Sequence, residues 1–401
     1  MVDKKLQKFL NYVSFDTQSD DTTGVTPSTQ KQTELAKLLV KELLDLGLTD
    51  AHMDEFCNVY AHMTGEGFPI GLNAHMDTAL ELSGANVKPT IVKNFDGSPI
   101  KLNEKYSLTL EQFPMLKNHI GNDLVVTDGN TLLGADDKAG IAIIMNVLEF
   151  FKTHPEIKHH PISICFTVDE EIGEGPLHFN LQKMNAEFAY TIDGSSINLI
   201  EFENFNAQVC HIIFKGVSVH PGEGKDVLIN ALLLCNEFIA LMPAKETPFY
   251  SSNDDGFWHL TSICGSSEEA KLSMILRDFS KENLDKKTTF ITDIINMMKE
   301  KYPKCGFHLS FEHQYDNMRE FVEKNPLAVK YAETALKENG LNPVYGKIRG
   351  GTDGATFSKM GLITPNLGTG SYNHHGRYEF LDVNEFNKMI DVVISLMQIY
   401  E

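Results

Sequence analysis

Residues 140–171 read GIAIIMNVLEFFKTHPEIKHHPISICFTVDEE, and this stretch decides the fold class. Its first part, Gly140–Phe151, is a mostly apolar segment long enough for a helix, which we predict there. Its last part, Ile162–Val168, is a short apolar run rich in β-branched and aromatic residues, typical of a buried strand, and three acids follow it. A helix that leads into a buried strand is the repeating unit of α/β proteins.

The same alternation continues on either side of this stretch. Strands are predicted at Phe68–Ala74 and Phe188–Ile192, and helices at Ser28–Leu46, Pro326–Glu338 and Asn384–Ile399. Helices and buried strands that alternate along a chain favour an α/β domain, in which the helices cover a central sheet.

A different order of elements runs from about Asn206 to Gln314. The pattern predicts a strand, a helix, two strands, a helix and a strand: Gln208–Phe214, Val227–Leu241, His259–Ile263, Lys271–Asp278, Lys281–Lys301 and Phe307–Gln314. This is the order of a split βαβ, or ferredoxin-like, α+β fold. Because 401 residues exceed the size of one hydrophobic core, we predict a main domain of residues 1–205 and 318–401 and an inserted smaller domain of residues 206–317.

Composition excludes several classes of function. The chain carries 55 acidic and 35 basic residues, a formal charge of −20, which repels the phosphates of nucleic acids and anionic lipid surfaces. No apolar run is long enough to span a bilayer, and Met1–Phe15 lacks the apolar core of a secretory signal. Six scattered cysteines show no spacing typical of disulfides or thiolate metal sites. We therefore expect a cytoplasmic protein that binds neither nucleic acid nor membrane.

Polar residues cluster where predicted strands end. The four segments are Ala74–Thr78, Gly134–Lys138, Asp169–Glu171 and Ile192–Gly194, and their candidate residues are His75, Asp77, Asp136, Asp137, Glu170, Glu171 and Asp193. Because open α/β sheets bind ligands at the carboxyl ends of their strands, we expect these segments to share one crevice. Carboxylates crowded into a crevice repel each other unless cations neutralise them, and two divalent ions about 3.5–4 Å apart on a shared carboxylate would do so.

Each segment also has a plain structural explanation when it is taken alone. His75 and Asp77 lie two apart on an extended run, where the carboxylate could orient a metal-binding imidazole, but they also suit a solvated polar loop. Asp136 and Asp137 precede a predicted helix and would cap it equally well. The residues by themselves leave these alternatives open.

Glu170 and Glu171 are neighbours that we predict to divide the chemistry between them. On an extended strand end their side chains would point to opposite faces, so one could bind a metal while the other acts as general base. A surface acidic pair is the alternative.

The later candidates are His220, Arg277, Arg349 and the doublet His374-His375. A lone histidine is more often a hydrogen-bonded structural residue than a metal ligand. An arginine fork suits the clamping of a carboxylate, and a surface salt bridge is its alternative role.

Taken together, these segments resemble the M20 family of metallopeptidases along the whole chain. The resemblance is carried by FLNYVS (residues 9–14), TLLGADDKAG (131–140), EFENFN (201–206) and IRGGTDGA (348–355). It implies a zinc-peptidase-like catalytic domain with a central mixed sheet, into which the smaller α+β domain is inserted as a lid.

The resemblance also implies two metal sites that share one carboxylate. His75, Asp136 and Asp193 would bind one zinc ion. Asp136, Glu171 and His375 would bind the other. His375 is preferred to His374 because it precedes Gly376, as in the family.

Further roles follow from the same resemblance. Asp77 would orient His75, Glu170 would be the general base, and the peptide bond after Asp136 would be cis. The substrate-contacting residues would be His220, Arg277 and Arg349.

The implied activity is that of a tripeptide aminopeptidase, which releases the N-terminal residue by means of water activated by two metal ions. Cobalt or manganese could replace zinc, because supply helps to decide occupancy. The expected partners are short peptides, chiefly tripeptides, and homo-oligomer formation stays open. One alternative is another amidohydrolase of the family, such as a dipeptidase, a carboxypeptidase or an N-acyl amino-acid deacylase. Another is a non-catalytic metal-binding scaffold.

Overall fold

The computed structural model describes residues 3–400, which form two compact units. The first unit takes in the described residues up to Phe202, together with Met318–Lys347 and the residues from Thr352 onward. The second unit takes in Glu203–Asn317 and Ile348–Gly351.

The strands are numbered along the chain as β1 His52–Met53, β2 Val59–Met63, β3 Ile70–His75, β4 Thr90–Val92, β5 Ile100–Lys101, β6 Ser107–Leu108, β7 Leu124–Val126, β8 Ile162–Thr167, β9 Phe188–Gly194, β10 Leu199–Asn204, β11 Asn206–Lys215, β12 Phe257–Gly265, β13 Glu269–Asp278, β14 Gly306–Tyr315, β15 Val344–Ile348, β16 Asn366–Gly368, β17 Ser371–Tyr372 and β18 Phe380–Asp382. The α-helices are α1 Lys4–Tyr12, α2 Gln32–Asp45, α3 Ala135–Thr153, α4 Leu181–Met184, α5 Ala231–Leu241, α6 Lys281–Lys301, α7 Arg319–Lys324, α8 Leu327–Glu338, α9 Asp353–Lys359 and α10 Val383–Leu396.

The first unit contains a mixed sheet of eight strands in the order β1-β2-β8-β3-β9-β16-β10-β15. The strands β8, β3, β9 and β16 run parallel to one another, and the pairs β1–β2, β2–β8 and β10–β16 are antiparallel. In the parallel core Asn73 lies between Cys165 and Thr191, so the carboxyl ends of β3, β8 and β9 meet at one edge. This sheet confirms the predicted α/β class.

The helix α3 lies at the centre of the first unit. Every side chain from Ile141 to Leu148 except Asn146 is apolar, and all of them are buried. The helix packs on β3 and β9, and α1 and α10 also pack against it. Such all-round burial explains why its sequence reads as a continuous apolar segment. Its N-terminus points toward the sheet edge that carries the polar residues.

The segment between residues 79 and 131 was not assigned by the sequence patterns. It contributes β4 and β7 to a second, four-stranded sheet in the order β17-β18-β7-β4, and it forms the separate hairpin β5–β6. A small apolar core that includes Phe95, Leu108 and Leu124 holds these strands together. Strands of two or three residues are too short for a period to show in the sequence.

The second unit has an antiparallel sheet in the order β12-β13-β11-β14, with α5 and α6 packed on it. This strand order and the alternation of elements are those of the predicted ferredoxin-like fold. Asn230 and Ser280 cap the two helices by accepting backbone N–H groups with their side chains. The core between sheet and helices includes Phe214, Phe238 and Met298.

Among residues 3–400, no helix combines the length and the apolar character that crossing a bilayer requires.

Candidate metal centre

The candidate residues of the first unit gather at the carboxyl edge of the parallel strands. His75 is the last residue of β3, Asp193 lies near the end of β9, and Glu170 and Glu171 follow β8. Asp136 stands at the N-terminus of α3. The topology brings these residues together because the strands are parallel neighbours and α3 is packed under the same edge.

His75 is buried in the centre, with 1% of its surface exposed. Its Nε2 lies 2.9 Å from Asp136 Oδ1, 3.5 Å from Asp193 Oδ1 and 4.0 Å from Glu170 Oε2. Its Nδ1 lies 3.2 Å from the backbone carbonyl of Asp77 and 3.4 Å from the Asp77 carboxylate. The ring thus points one nitrogen at the acids and the other at Asp77, the arrangement usual for a metal-binding histidine.

Asp77 also supports the two glutamates. Its Oδ1 accepts the backbone N–H of Glu170 at 3.0 Å, and its Oδ2 accepts that of Glu171 at 3.2 Å. The sequence predicts contact with His75 alone. One buried carboxylate therefore braces both the histidine and the turn that carries the glutamates.

Asp136 and Asp137 are joined by a cis peptide bond and face different partners. Asp136 turns toward three histidines: besides the contact with His75, its Oδ2 lies 3.3 Å from His374 Nδ1 and 3.4 Å from His375 Nε2. Asp137 accepts the backbone N–H groups of His75 and Gly140.

The histidine doublet shows an unequal arrangement. His375 Nε2 lies 3.0 Å from Glu171 Oε2, and its Nδ1 lies 3.4 Å from Glu81. His374 Nε2 lies 2.8 Å from the hydroxyl of Ser371 instead. His375 is therefore the member of the doublet that stands between Asp136 and Glu171.

Glu170 and Glu171 do not continue a strand, contrary to the prediction. β8 ends at Thr167, and the pair lies in a short 3-10 turn, Glu170–Ile172. The chain leaves the strand at Asp169, whose φ of 59° is left-handed. The two side chains nevertheless diverge, Glu170 toward His75 and Glu171 toward His375, because successive side chains of a tight turn also point in different directions.

The acids of the centre are buried close together, and both burial and their mutual repulsion shift their pKa values. Burial and the charge of Asp136 raise the pKa of Glu171 to about 7 and that of Asp193 to about 6. Burial also raises the pKa of Glu170 well above its usual value. Burial opposes the charge of His75, yet Asp193 and the hydrogen-bonded acids raise its pKa well above normal. A cation among these groups would relieve the repulsion.

The residues present fit divalent metal ions. His75, Asp136 and Glu171 each offer a ligand atom, and these atoms lie within 4.8 Å of one another; the same holds for His75, Asp137 and Asp193. Glu171 Oε1 is buried and has no hydrogen-bond partner in the described part of the chain, as expected of an oxygen that awaits a metal. Imidazole and carboxylate donors suit zinc and manganese alike. These geometric groups overlap the two predicted ligand sets without matching them residue for residue.

Sequence reasoning missed two acids that brace the centre. Glu379 is buried and accepts the backbone N–H groups of Leu133, Gly134 and Asp136 at 2.7, 2.9 and 3.0 Å. Asp169 accepts the N–H and the hydroxyl of Ser28. Nothing in the local sequence distinguishes Glu379 from an acid in a surface loop. Asp169 had a signal, since it directly precedes Glu170.

The predicted substrate contacts His220 and Arg277 lie in the second unit. His220 is exposed and caps a short turn, where its Nδ1 accepts the N–H of Gly222 at 3.2 Å. Arg277 is buried on β13, donates to the carbonyls of Gln208 and Leu276, and lies over the ring of Tyr315. Their contact with substrate stays a prediction.

Arg349 also belongs to the second unit, although the predicted domain boundary had placed it in the main domain. Its guanidinium donates to the carbonyls of Asn253 and Asp255 and to the hydroxyl of Ser251. It also lies 5.0 Å from the ring centre of Phe205. The planar fork thus holds the loop of residues 251–255, and its predicted contact with substrate stays a prediction.

Comparison with known proteins identifies relatives of this chain. The family model described as Peptidase family M20/M25/M40 matches residues 126–399. Peptidase T of Clostridium perfringens (strain 13 / Type A) is 44% identical over 398 residues, which cover 98% of either chain. Two solved structures share the fold over 98% of this chain and 97% of their own. They are aminopeptidase PepT from Bacillus cereus, with a TM-score of 0.77 and 20% identity, and a tripeptidase from Staphylococcus aureus, with a TM-score of 0.78 and 22% identity.

Proposed function

The chain belongs to peptidase family M20/M25/M40, and on this premise we propose that it is a tripeptide aminopeptidase that uses two zinc ions. The membership confirms the family resemblance predicted from the sequence. The chain is 44% identical over nearly its whole length to a protein named peptidase T. This similarity supports a metallo-aminopeptidase that acts on peptides. The cytoplasmic location is part of the proposal.

One observation carries the proposal: a histidine and three acids converge at the sheet edge with their ligand atoms turned toward each other. We assign His75, Asp136 and Asp193 to one ion, and Asp136, Glu171 and His375 to the other. When bound, two divalent ions polarise a scissile carbonyl and lower the pKa of water. The chain contributes a fixed set of metal ligands. Asp77 accepts the backbone N–H groups of Glu170 and Glu171, and Glu379 accepts that of Asp136.

Glu170 is the proposed general base. Its Oε2 lies 4.0 Å from His75 Nε2, and Glu170 belongs to none of the three groups of ligand atoms that could hold an ion among residues 3–400. Its backbone is fixed by Asp77, and burial holds its pKa well above the usual range. Such a carboxylate can take a proton from the attacking water and return it to the leaving amine.

The second unit is proposed as a lid that supplies substrate contacts through His220, Arg277 and Arg349. The arginines would hold the carboxylate of the peptide, since a guanidinium fork matches a carboxylate in shape and charge. The domain boundaries predicted from the sequence, residues 206–317 for the insert, belong to the same proposal.

The proposal is tested by an assay of metal-loaded protein on tripeptides with varied N-terminal residues. Dipeptides, N-acetylated tripeptides and tripeptide amides serve as comparison substrates, and zinc, manganese and cobalt are loaded separately. We expect release of the N-terminal residue from free tripeptides. Preference for an acetylated amine would instead favour an N-acyl amino-acid deacylase, and a lack of activity on every peptide would favour a scaffold.

A variant separates the general base from the metal ligands. Glu170→Ala should lose at least about 100-fold in kcat, since general-base catalysis contributes on that order or more, while both metals stay bound. Glu187→Ala changes an exposed glutamate of the same unit and serves as the control. Near-normal turnover by Glu170→Ala would rule out the assigned base.

A further inference from the structure

Glu201 is an acid of the first unit that none of the roles above uses. It lies on β10, within the run EFENFN, and is partly buried. Among residues 3–400, no side chain or backbone group donates a hydrogen bond or a salt bridge to its carboxylate. A partly buried carboxylate without a donor is unusual, because burial costs free energy unless a hydrogen bond or a cation offsets it.

Two glycines leave room for this side chain. A Cβ built on Gly346 of β15 would lie 2.7 Å from Glu201 Cγ, and one on Gly194 would lie 2.9 Å from Glu201 Oε2. Neither glycine has the positive φ that would require a glycine for conformational reasons. Gly194 directly follows the proposed ligand Asp193 on β9, and the charges of Asp193 and His374 both act on the Glu201 carboxylate, which places it in the neighbourhood of the metal centre.

Four other buried acids around the centre each accept at least one hydrogen bond. Asp77 accepts the N–H groups of Glu170 and Glu171, Asp137 accepts those of His75 and Gly140, and Glu379 accepts three backbone N–H groups. Asp353 accepts the hydroxyl of Thr167 with Oδ2, while its Oδ1 has no hydrogen-bond partner among residues 3–400. Asp136, Glu171 and Asp193 are the proposed metal ligands, and Glu170 is the proposed general base. Glu201 is then the acid that has neither a proposed role nor a hydrogen-bond donor among residues 3–400.

We propose that Glu201 binds the α-ammonium group of the peptide substrate and so makes the enzyme an aminopeptidase. This inference rests on the proposed function. An aminopeptidase must hold a free ammonium a few bonds from the scissile carbonyl, and the anion that holds it cannot also be a metal ligand. An ammonium that donates to a partly buried carboxylate forms a charge-assisted hydrogen bond, the strong kind.

The electrostatic environment of Glu201 agrees with this role. Burial and the charge of Asp193 raise its pKa to about 7, and the partner that would bring it down is a cation. The charge of His374 lowers the pKa of Glu201, but His374 donates no hydrogen bond to the Glu201 carboxylate. A bound ammonium would supply the missing cation.

The test compares two hydroxamates that differ only at the α-position. Leucine hydroxamate carries the ammonium, and 4-methylpentanoic hydroxamate lacks it; both can chelate the metals through the same group. Their dissociation constants are measured by calorimetry on metal-loaded wild type, Glu201→Gln and the control Glu187→Gln. Gln keeps the size of the side chain beside Gly346 and Gly194.

In Glu201→Gln, leucine hydroxamate should bind about 10- to 100-fold more weakly, the loss typical of a hydrogen bond to a charged group. The des-amino compound should bind as to wild type. Gly346→Ala, which pushes the carboxylate aside without removing it, should show the same selective loss. Equal weakening of both compounds, or no change in either, would overturn the proposal.

Activity data separate this inference from the proposed function. If wild type cleaves no tripeptide, the proposed function fails, and the hydroxamate ratio still reports whether Glu201 binds an ammonium. If wild type cleaves tripeptides and Glu201→Gln cleaves them at the same kcat/KM, the inference on Glu201 fails alone.

Discussion

Glu379 stands out at the scale of single residues because one carboxylate holds the loop that delivers Asp136. Its two oxygens accept three backbone N–H groups, among them that of Asp136 itself. Glu379 also lies four residues after His375 on the loop between β17 and β18. The two loops that carry proposed ligands are thus tied together by hydrogen bonds from backbone N–H groups to the Glu379 side chain.

Replacing Glu379 by Gln should weaken metal binding. The amide NH2 would face a backbone N–H group where a carboxylate oxygen now accepts, so the loop that carries Asp136 would shift. Supporting residues of this kind typically contribute about 10- to 100-fold in metal affinity. Competition with a chromogenic chelator measures the change, and Glu187→Gln is the matched control. Unchanged affinity would show that the loop keeps its shape without Glu379.

The histidine doublet can be resolved by counting metals. His375 Nε2 lies between Glu171 and Asp136, whereas His374 Nε2 is engaged by Ser371. We therefore expect His375→Ala to retain one ion per chain and His374→Ala to retain two, as measured by elemental analysis after gel filtration. The reverse result would assign the ligand to His374.

At the scale of secondary-structure elements, the buried pair His119 and Asp382 links the last residue of β18 to the start of α10. Asp382 caps α10 by accepting the N–H groups of Asn384 and Glu385, and it also accepts from His119 and Asn122. His119 and Asp382 are both buried. The helix cap and the hairpin β17–β18 therefore depend on the same carboxylate.

Removing this carboxylate should destabilise the first unit. Asp382→Ala loses a cap, about 1 kcal/mol, and leaves two donors unpaired at about 1–3 kcal/mol each. Asp382→Asn keeps the cap and should lose less. Urea denaturation followed by circular dichroism measures both, and Asp391→Asn, on the exposed face of α10, is the control. Equal stability of Asp382→Ala and wild type would contradict the linked arrangement.

The formal charge of the whole molecule is −20, and some of its acids, among them Asp136, Glu171 and Asp193, meet in the metal centre of the first unit. Without metal, the raised pKa values of Glu171 and Asp193, about 7 and about 6, mean that folding favours their protonated forms. That contribution to stability is complete below the ordinary carboxyl pKa of about 4 and is lost as the pH rises through 6 and 7.

Chelated protein should therefore melt at progressively lower temperature as the pH rises from about 5 to 8, and metal-loaded protein should lose much less. An ion present at 100 times its dissociation constant stabilises the folded chain by about 2.7 kcal/mol. Differential scanning calorimetry with and without EDTA measures both effects. Identical curves would show that the crowded acids are not neutralised by metal.

Sequence patterns were sufficient to predict many of the helices and strands of the fold. The helix α6 and the strands β8, β9 and β11 lie within a few residues of their predicted bounds, because helical periodicity and short apolar runs are visible in segments of that length. Parallel strands share one edge, and so His75 and Asp193 could be expected to meet from topology alone. The short strands β4 to β7 show no such period.

The sequence by itself determined the fold class, the family and the identity of the candidate residues, because each rests on local patterns or on runs shared with relatives. Only the tertiary structure decided which hydrogen bonds each acidic side chain makes and which acids are left without a donor. The donors that hold Glu379 come from residues 243 to 246 positions away, and the Glu170–Glu171 turn follows from a left-handed residue held by Ser28. The Glu201 carboxylate has no hydrogen-bond donor within residues 3–400, and only their folded arrangement reveals this. Hydrogen bonds between distant segments form only when packing brings those segments together.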